Sequence, residues 1–335
     1  MNILVTLPAG PQRDVLFPSD VASRLESVGI VDWNDDDQLT SAELRERLRG
    51  VDVCVTGWGS PTLSADVLDG ADSLELIGHV GGSVTSIASP AVYERGIPVV
   101  SANRAMAPFV AEGILAYMLT ALRDTTGFDA AMKNGAWPGT CERTETLFGS
   151  SIGFVGLGDV GEELLSLLAP FDPTVRVYDP YASAEDIAAF EFATMAALDT
   201  VLESSDVVSI HASKTPETLH MLDAELLSML PDGCLLVNAA RGAIVDEDAL
   251  VDELRTGRIR AALDVFEEEP LPESSPLRDL DDVVLGPHVA GAPTRYRLAE
   301  TVIDEIERFD GGEPLENRVS RERYEHMTQD WLEAE

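Results

Sequence analysis

The run Ser151-Ile152-Gly153-Phe154-Val155 is apolar and β-prone, and it leads straight into Gly156-Leu157-Gly158-Asp159-Val160-Gly161 and a helix-forming stretch from Glu162 to Leu168. A strand that ends in glycines and turns at once into a helix leaves a chain few folds to choose from. The first glycine permits the tight turn, the second a close approach of backbone to a pyrophosphate, and the third close packing of helix on strand. Glycines alone are weak grounds, because any turn uses them. Here the next strand, Val175-Arg176-Val177-Tyr178, ends in Asp179, a carboxylate placed to accept hydrogen bonds from the adenine ribose. The set predicts a dinucleotide site built from Gly156, Gly158, Asp159, Val160, Gly161 and Asp179. Asp179 repels the extra phosphate of NADP and no arginine follows in Pro180-Tyr181-Ala182-Ser183, so NAD is expected over NADP. Asp159 sets a negative charge inside the turn, which bound cations or an outward rotamer would offset.

The βα series recurs at Val207 to Ile210, Cys234 to Val237, Ile259 to Leu263 and Val283 to Leu285, the pattern of a Rossmann-type doubly wound domain. Before it, Ile3 to Leu7, Val51 to Thr56, Leu74 to Val80 and Ile97 to Val100 alternate with helical segments, which predicts a second α/β domain with a parallel sheet. A helix from about Arg104 to Arg123 joins the two series, followed by a polar stretch, Lys133 to Gly139, read as an exposed crossing segment. An amphipathic helix, about Pro293 to Phe309, and a charged tail close the chain. Strand counting divides the chain into 1–100 with 291–335, and 101–290.

Composition narrows the partners. Asp and Glu number 60 against 23 Lys and Arg, a formal net charge of −37, and Lys133 and Lys214 are the only lysines. Apolar periodic segments run from end to end, so the acid is expected on a folded surface rather than in a disordered block. Such a field repels phosphate backbones, which excludes nucleic acid as an expected partner. An acidic, lysine-poor surface resembles those of proteins from salt-loving archaea, where salt screens the self-repulsion. Cys54, Cys141 and Cys234 lack metal-like spacing and read as reduced core residues. No metal site is expected. The N-terminal strand has no basic leader and no apolar run approaches membrane-spanning length, so a cytoplasmic, membrane-free protein is expected.

Three later segments carry the chemistry: Leu236-Val237-Asn238-Ala239-Ala240-Arg241-Gly242, Leu263-Asp264-Val265-Phe266-Glu267-Glu268-Glu269-Pro270, and Gly286-Pro287-His288-Val289-Ala290-Gly291. A cation can hold an anionic substrate, a histidine can move a proton near neutral pH, and a carboxylate can orient the imidazole. Singly, each has a bland reading: a surface ion pair for Arg241, a solvated charge run for Glu267 to Glu269, an exposed turn for His288. In this order behind the glycine turn, the segments resemble the D-isomer-specific 2-hydroxyacid dehydrogenases over essentially the whole chain. The resemblance implies a flavodoxin-like substrate domain beside the Rossmann-type one, with Arg241 binding the substrate, His288 as general acid/base, and Glu269 hydrogen-bonded to His288 and raising its pKa. Ala239 and Asp264 join the cofactor contacts. His211, at a strand end, is read as lying at the cofactor edge or as packing; His220 and His326 are read as ordinary helix or surface residues.

The resemblance also places His79, Val80, Gly81 and Gly82 in a loop whose amides meet the substrate carboxylate, although Ser83 and Val84 stand where many members carry an acidic residue or asparagine. Val110-Ala111-Glu112 matches the family's helix element, with Asn103 before it framing the cofactor cleft, and a homodimer is implied. The expected activity is NAD(H)-linked interconversion of a small 2-oxo acid and its D-2-hydroxy acid, as in glyoxylate or hydroxypyruvate reductases. A phosphoglycerate dehydrogenase-like activity is an alternative, weighed against by the short stretch after the last helix and the lack of loop cations. So is an NAD(H)-sensing, corepressor-like protein on the same fold.

Overall fold

The computed structural model describes residues 1–138, 144–329 and 331–332; Cys141 and Gly139 lie outside these. Contacts divide the chain into one unit of Met1–Met106 with Ala292–Trp331, and another of Ala107–Gly291 with Leu332–Glu335. In the first, β1 (Asn2–Val5), β2 (Ile30–Trp33), β3 (Val53–Thr56), β4 (Leu76–His79) and β5 (Val99–Ser101) pair in parallel in the order β2-β1-β3-β4-β5, which is the flavodoxin-like order. Side chains alternate across the pleat: Ile3 and Val5 enter the core on one face of the sheet, Leu4 the core on the other. The helix Arg295–Asp310 buries Leu298, Val302 and Ile306 on the first face. It sits so close to β4 that a Cβ on Gly78 would stand 2.5 Å from Val302 Cγ1.

The segment after that helix, read from the sequence only as a charged tail, is tied down. Glu305 is 1% exposed and its carboxylate accepts from Glu316 N (3.0 Å), Asn317 N (3.1 Å) and Asn317 Nδ2 (2.8 Å). Arg318 then bridges antiparallel to Val100, and the helix Arg321–Glu325 follows, capped by the Ser320 hydroxyl.

In the second unit, β6 (Ser151–Val155), β7 (Thr174–Tyr178), β8 (Ala193–Met195), β9 (Val207–Ile210), β10 (Leu235–Asn238), β11 (Arg260–Leu263) and β12 (Val283–Leu285) are all parallel, in the order β12-β11-β10-β9-β6-β7-β8. Strand order reverses between β6 and β9, and ligands of such sheets bind at the carboxyl ends beside that point. Phe154 and the helix Gly158–Leu168, through Leu164, Leu165 and Leu168, fill one face; Val155, Ile210 and Leu236 fill the other. Each fully buried Leu or Phe of this kind contributes about 1.5–3 kcal/mol.

The helix Asn103–Leu122 corrects one expectation. With mean hydropathy 1.6 it is long and apolar enough, by length and composition, to cross a membrane, whereas the sequence reading above expects no such run. Arg104, Pro108 and Glu112 break the continuity of the apolar run, while Ala111, Ile114, Met118 and Leu122 pack into the core of the second unit.

Candidate active site

At the end of β6, Gly156 takes φ 87 and a Cβ there would stand 2.5 Å from Ala212 N, so no other residue fits. Gly158 takes φ 54 with open space around its Cβ position, and it begins an 11-residue helix. The amides of Gly158 and Val160 precede the first intrahelical bond, Gly161 N to Leu157 O, so they have no acceptor within the helix. Asp179, at the end of β7, accepts from Leu157 N (2.9 Å) through Oδ2 and from Tyr181 N (2.8 Å) and Ala182 N (3.1 Å) through Oδ1. That fixes the carboxylate against the turn and leaves Oδ2 a lone pair for a ribose hydroxyl. These residues fit a dinucleotide: a Cβ-free turn, a helix N-terminus for the pyrophosphate, and an anchored carboxylate. Asp159 lies half-buried in the first helical turn.

Beyond β10, Asn238 donates from Nδ2 to Arg241 O (2.9 Å) and accepts from Ala240 N at Oδ1 (3.0 Å), closing a turn over Ala239 that sends Arg241 out in extended conformation. A Cβ on Gly242 would overlap the Phe266 carbonyl, so the segments after β10 and β11 meet backbone to backbone. This contact brings Arg241 near enough to Glu269 for its charge to act on it. Glu269 accepts from Phe266 N (3.1 Å) through Oε1 and stands 2.7 Å from His288 Nδ1 through Oε2. Burial pushes its pKa up, but the His288 hydrogen bond, the Phe266 amide and the His288 and Arg241 charges outweigh that and hold it below the usual carboxylate range. The carboxylate is therefore ionised at neutral pH. Engaged at Nδ1, the half-exposed His288 ring keeps Nε2 for proton transfer.

His288 takes φ 54, the left-handed region, which costs a side chain with a Cβ about 1–3 kcal/mol. Asp264 holds it there: Asp264 O accepts from His288 N (2.8 Å), Oδ1 from Val289 N (2.9 Å) and Oδ2 from Ala290 N (2.8 Å). Asp264 is 1% exposed and lies enclosed behind the loop. Tyr117 Oη donates to the same Oδ1 at 2.7 Å. Sequence reading missed Asn238 and Tyr117; the available signals were a carboxamide ending an apolar strand and a phenol in a largely aliphatic helix.

In the other unit, the His79 ring is 1% exposed, with Nδ1 3.1 Å from Thr56 Oγ1, and burial lowers its pKa to about 4. A Cβ on Gly81 would run into that ring, so His79 floors the loop. Val80 N is taken by Thr56 O, whereas among the described residues nothing accepts the amides of Gly81 and Gly82. Asn103 and Met106 pack over Gly82. Val84 is buried in the core, and the Ser83 and Thr85 hydroxyls both donate to Thr328 O, at 2.8 and 2.5 Å. Ser83 and Val84, unusual in sequence, thus serve the loop's support.

Of the remaining histidines, His211 packs against Phe154, ring centroids 4.6 Å apart, with both nitrogens buried and unpartnered; burial lowers its pKa to about 3. The ring lies beneath Gly161. His220, read as an ordinary helix or surface residue, sits in a loop at φ 49 with Nε2 2.8 Å from Glu267 Oε1. Glu267 and Glu247 each accept the other's amide, at 2.9 and 3.1 Å, which occupies Glu267 and leaves Glu269 as the carboxylate on His288. Among the described residues no group of three or more His, Cys, Asp or Glu is placed to hold a metal ion.

Residues 115–290 match the sequence model of the D-isomer specific 2-hydroxyacid dehydrogenase NAD-binding domain. A D-3-phosphoglycerate dehydrogenase of Methanocaldococcus jannaschii is 34% identical over 324 residues, 96% of this chain; the chain spans 59% of that protein's length. A hydroxypyruvate reductase of Thermotoga maritima is 32% identical over 276 residues, 82% of this chain and 88% of that one. Among solved structures, a phosphoglycerate oxidoreductase from Rhizobium etli superposes with TM-score 0.81 at 28% identity, covering 96% of this chain and 99% of that one. A matched family domain spanning more than half of the sequence, and relatives above 30% identity, coincide with a glycine turn and a histidine–carboxylate pair on the doubly wound sheet: the chain belongs to the D-isomer specific 2-hydroxyacid dehydrogenases.

Proposed function

We propose that the protein is an NAD(H)-dependent oxidoreductase that interconverts a small 2-oxo acid and its D-2-hydroxy acid, in the manner of a glyoxylate or hydroxypyruvate reductase. The observation that carries this reading is the 2.7 Å contact of His288 Nδ1 with Glu269, beside Arg241. When bound, the nicotinamide supplies or accepts the hydride. In reduction, His288 Nε2–H gives its proton to the ketone oxygen, and Arg241 pairs with the substrate carboxylate and stabilises charge growing on that oxygen. Glu269, ionised, fixes the ring's tautomer and offsets the imidazolium charge. In oxidation, neutral His288 takes the hydroxyl proton. The amides of Gly81 and Gly82 are proposed, on the resemblance alone, as donors to a substrate oxygen.

NAD is favoured over NADP by the charge of Asp179. The hydroxypyruvate reductase relative, and a glyoxylate reductase of Thermofilum pendens 37% identical over 246 residues, support the substrate class. The phosphoglycerate dehydrogenase relatives favour a phosphorylated substrate, against which the loop from His79 to Val84 offers no lysine or arginine. Among the described residues Asp264 and Glu305 are the only buried carboxylates, so the acidity is superficial and a requirement for salt is part of the proposal. The test is NADH consumption in multimolar KCl with glyoxylate, hydroxypyruvate, phosphohydroxypyruvate and longer 2-oxo acids, NADPH run in parallel. Turnover of glyoxylate or hydroxypyruvate with NADH is expected. Turnover of the phosphorylated acid alone overturns the substrate class, and NADH binding with no turnover overturns the enzyme in favour of a sensor. A homodimer is proposed on the same resemblance, supported by Trp137, 83% exposed, and Phe148, 64% exposed, and light scattering at working salt checks it.

Glu269→Gln tests the pair. Reduction requires a proton on His288, and the Glu269 contact fixes the ring that gives it. With glutamine the rate is expected to fall about 10- to 100-fold at neutral pH, with NADH affinity within about twofold. Steady-state kcat/KM with an NADH titration reads this, and a rate equal to wild type removes Glu269 from the proton transfer.

A further inference from the structure

Tyr117 takes no part in the chemistry proposed above, yet it is built into the support of His288. Its helix, Asn103–Leu122, presents Ala111, Ile114, Met118 and Leu122 to the core, and the phenol leaves that apolar company to reach Asp264 Oδ1 at 2.7 Å. It passes over Gly286: a Cβ there would overlap Tyr117 Oη and stand 2.5 Å from Asp264 Oδ1. The same helix closes on the loop a second time, where a Cβ on Gly113 would stand 2.9 Å from Ala290 Cα.

The Asp264 carboxylate, 1% exposed, is surrounded by three donors: Tyr117 Oη, Val289 N and Ala290 N. A buried carboxylate stays put only while such bonds compensate its lost hydration. Burial, with the Asp264 bond and charge, raises the phenol's pKa, so Tyr117 remains a donor through the working pH range. The two amides bound by Asp264 directly follow His288, whose left-handed backbone needs to be held by its surroundings.

We propose that Tyr117 is a positioning residue: by fixing the Asp264 carboxylate it holds the loop Gly286–Ala290 in the conformation that presents His288 to Glu269. The inference rests on His288 as the acid/base of the proposed function. The test is Tyr117→Phe, which keeps the ring and removes one hydrogen bond, together with Gly286→Ala, which blocks the same approach from the other side. Three quantities are read: amide exchange at Val289 and Ala290, kcat against KM, and the effect of Tyr117→Phe in a His288→Ala background. The expected result is exchange faster by about tenfold, kcat lower by about tenfold with KM and NADH affinity within about twofold, and little further loss when His288 is already absent. Gly286→Ala reproduces the exchange effect. Wild-type exchange and kcat in Tyr117→Phe overturn the proposal. An equal loss of rate with and without His288 also overturns it, because Tyr117 then acts elsewhere. If the wild type turns over no 2-oxo acid, the functional reading fails, and amide exchange still decides whether Tyr117 orders the loop.

Discussion

His288→Ala is expected to lower kcat/KM for 2-oxo acid reduction by about 10²- to 10⁴-fold, with NADH affinity within about twofold of wild type. The magnitude follows from what the ring does: it delivers the proton to an oxygen that gains charge as hydride arrives, and no neighbouring side chain is equipped to replace it. His79 and His211 are enclosed and held neutral, with pKa values lowered to about 4 and about 3 by burial. His220 is turned to Glu267. Glu269 is ionised at neutral pH and has no proton to give. Because Glu269 acts through His288, adding Glu269→Gln to His288→Ala costs little more, a non-additivity that separates a shared role from two independent ones. Steady-state rates with NADH fluorescence titration measure both quantities. A His288→Ala enzyme within about tenfold of wild type assigns the proton transfer to another group.

Gly242→Ala is expected to destabilise the dinucleotide-binding unit by about 3 kcal/mol or more, the upper end of overpacking costs, and to lower Tm by roughly 6–12 °C. The added Cβ meets the Phe266 carbonyl and the Glu267 amide nitrogen, and backbone atoms cannot swing aside as a flexible side chain can. Relief comes only by prying apart the segments after β10 and β11. That movement also separates Arg241 from Glu269, so activity falls in whatever fraction stays folded. Ala249→Gly, on the neighbouring helix Glu247–Arg255, is a control expected to cost only about 1 kcal/mol. Thermal melts at fixed high salt compare the two. A Gly242→Ala variant as stable as wild type removes the close approach as the reason for glycine.

The fold class was legible because its signals are local. An apolar strand running into Gly156, Gly158 and Gly161, a helix behind them and a carboxylate after the next strand need only neighbours in sequence, and the parallel sheets follow from strands alternating with helices. Arg241, Glu269 and His288 were visible as residue types at strand ends, and the structure brings the last two to 2.7 Å. The short strands Ile30–Trp33 and Ala193–Met195 escaped, since each is only three or four residues long and forms the edge of its sheet. The tail escaped because its anchor is a buried glutamate, Glu305, indistinguishable in sequence from dozens of solvated ones.

Local pattern was enough to specify the α/β architecture, the glycine turn and the residue types available for acid/base chemistry, because periodicity and turn geometry act over a few residues. Long-range packing alone shows that Asp264 faces inward and that Tyr117 reaches it across 147 positions of chain. Those choices depend on how close two backbones come, at Gly242 and Gly286, and on which buried carboxylate finds its donors there, and neither quantity is encoded by near neighbours in the chain.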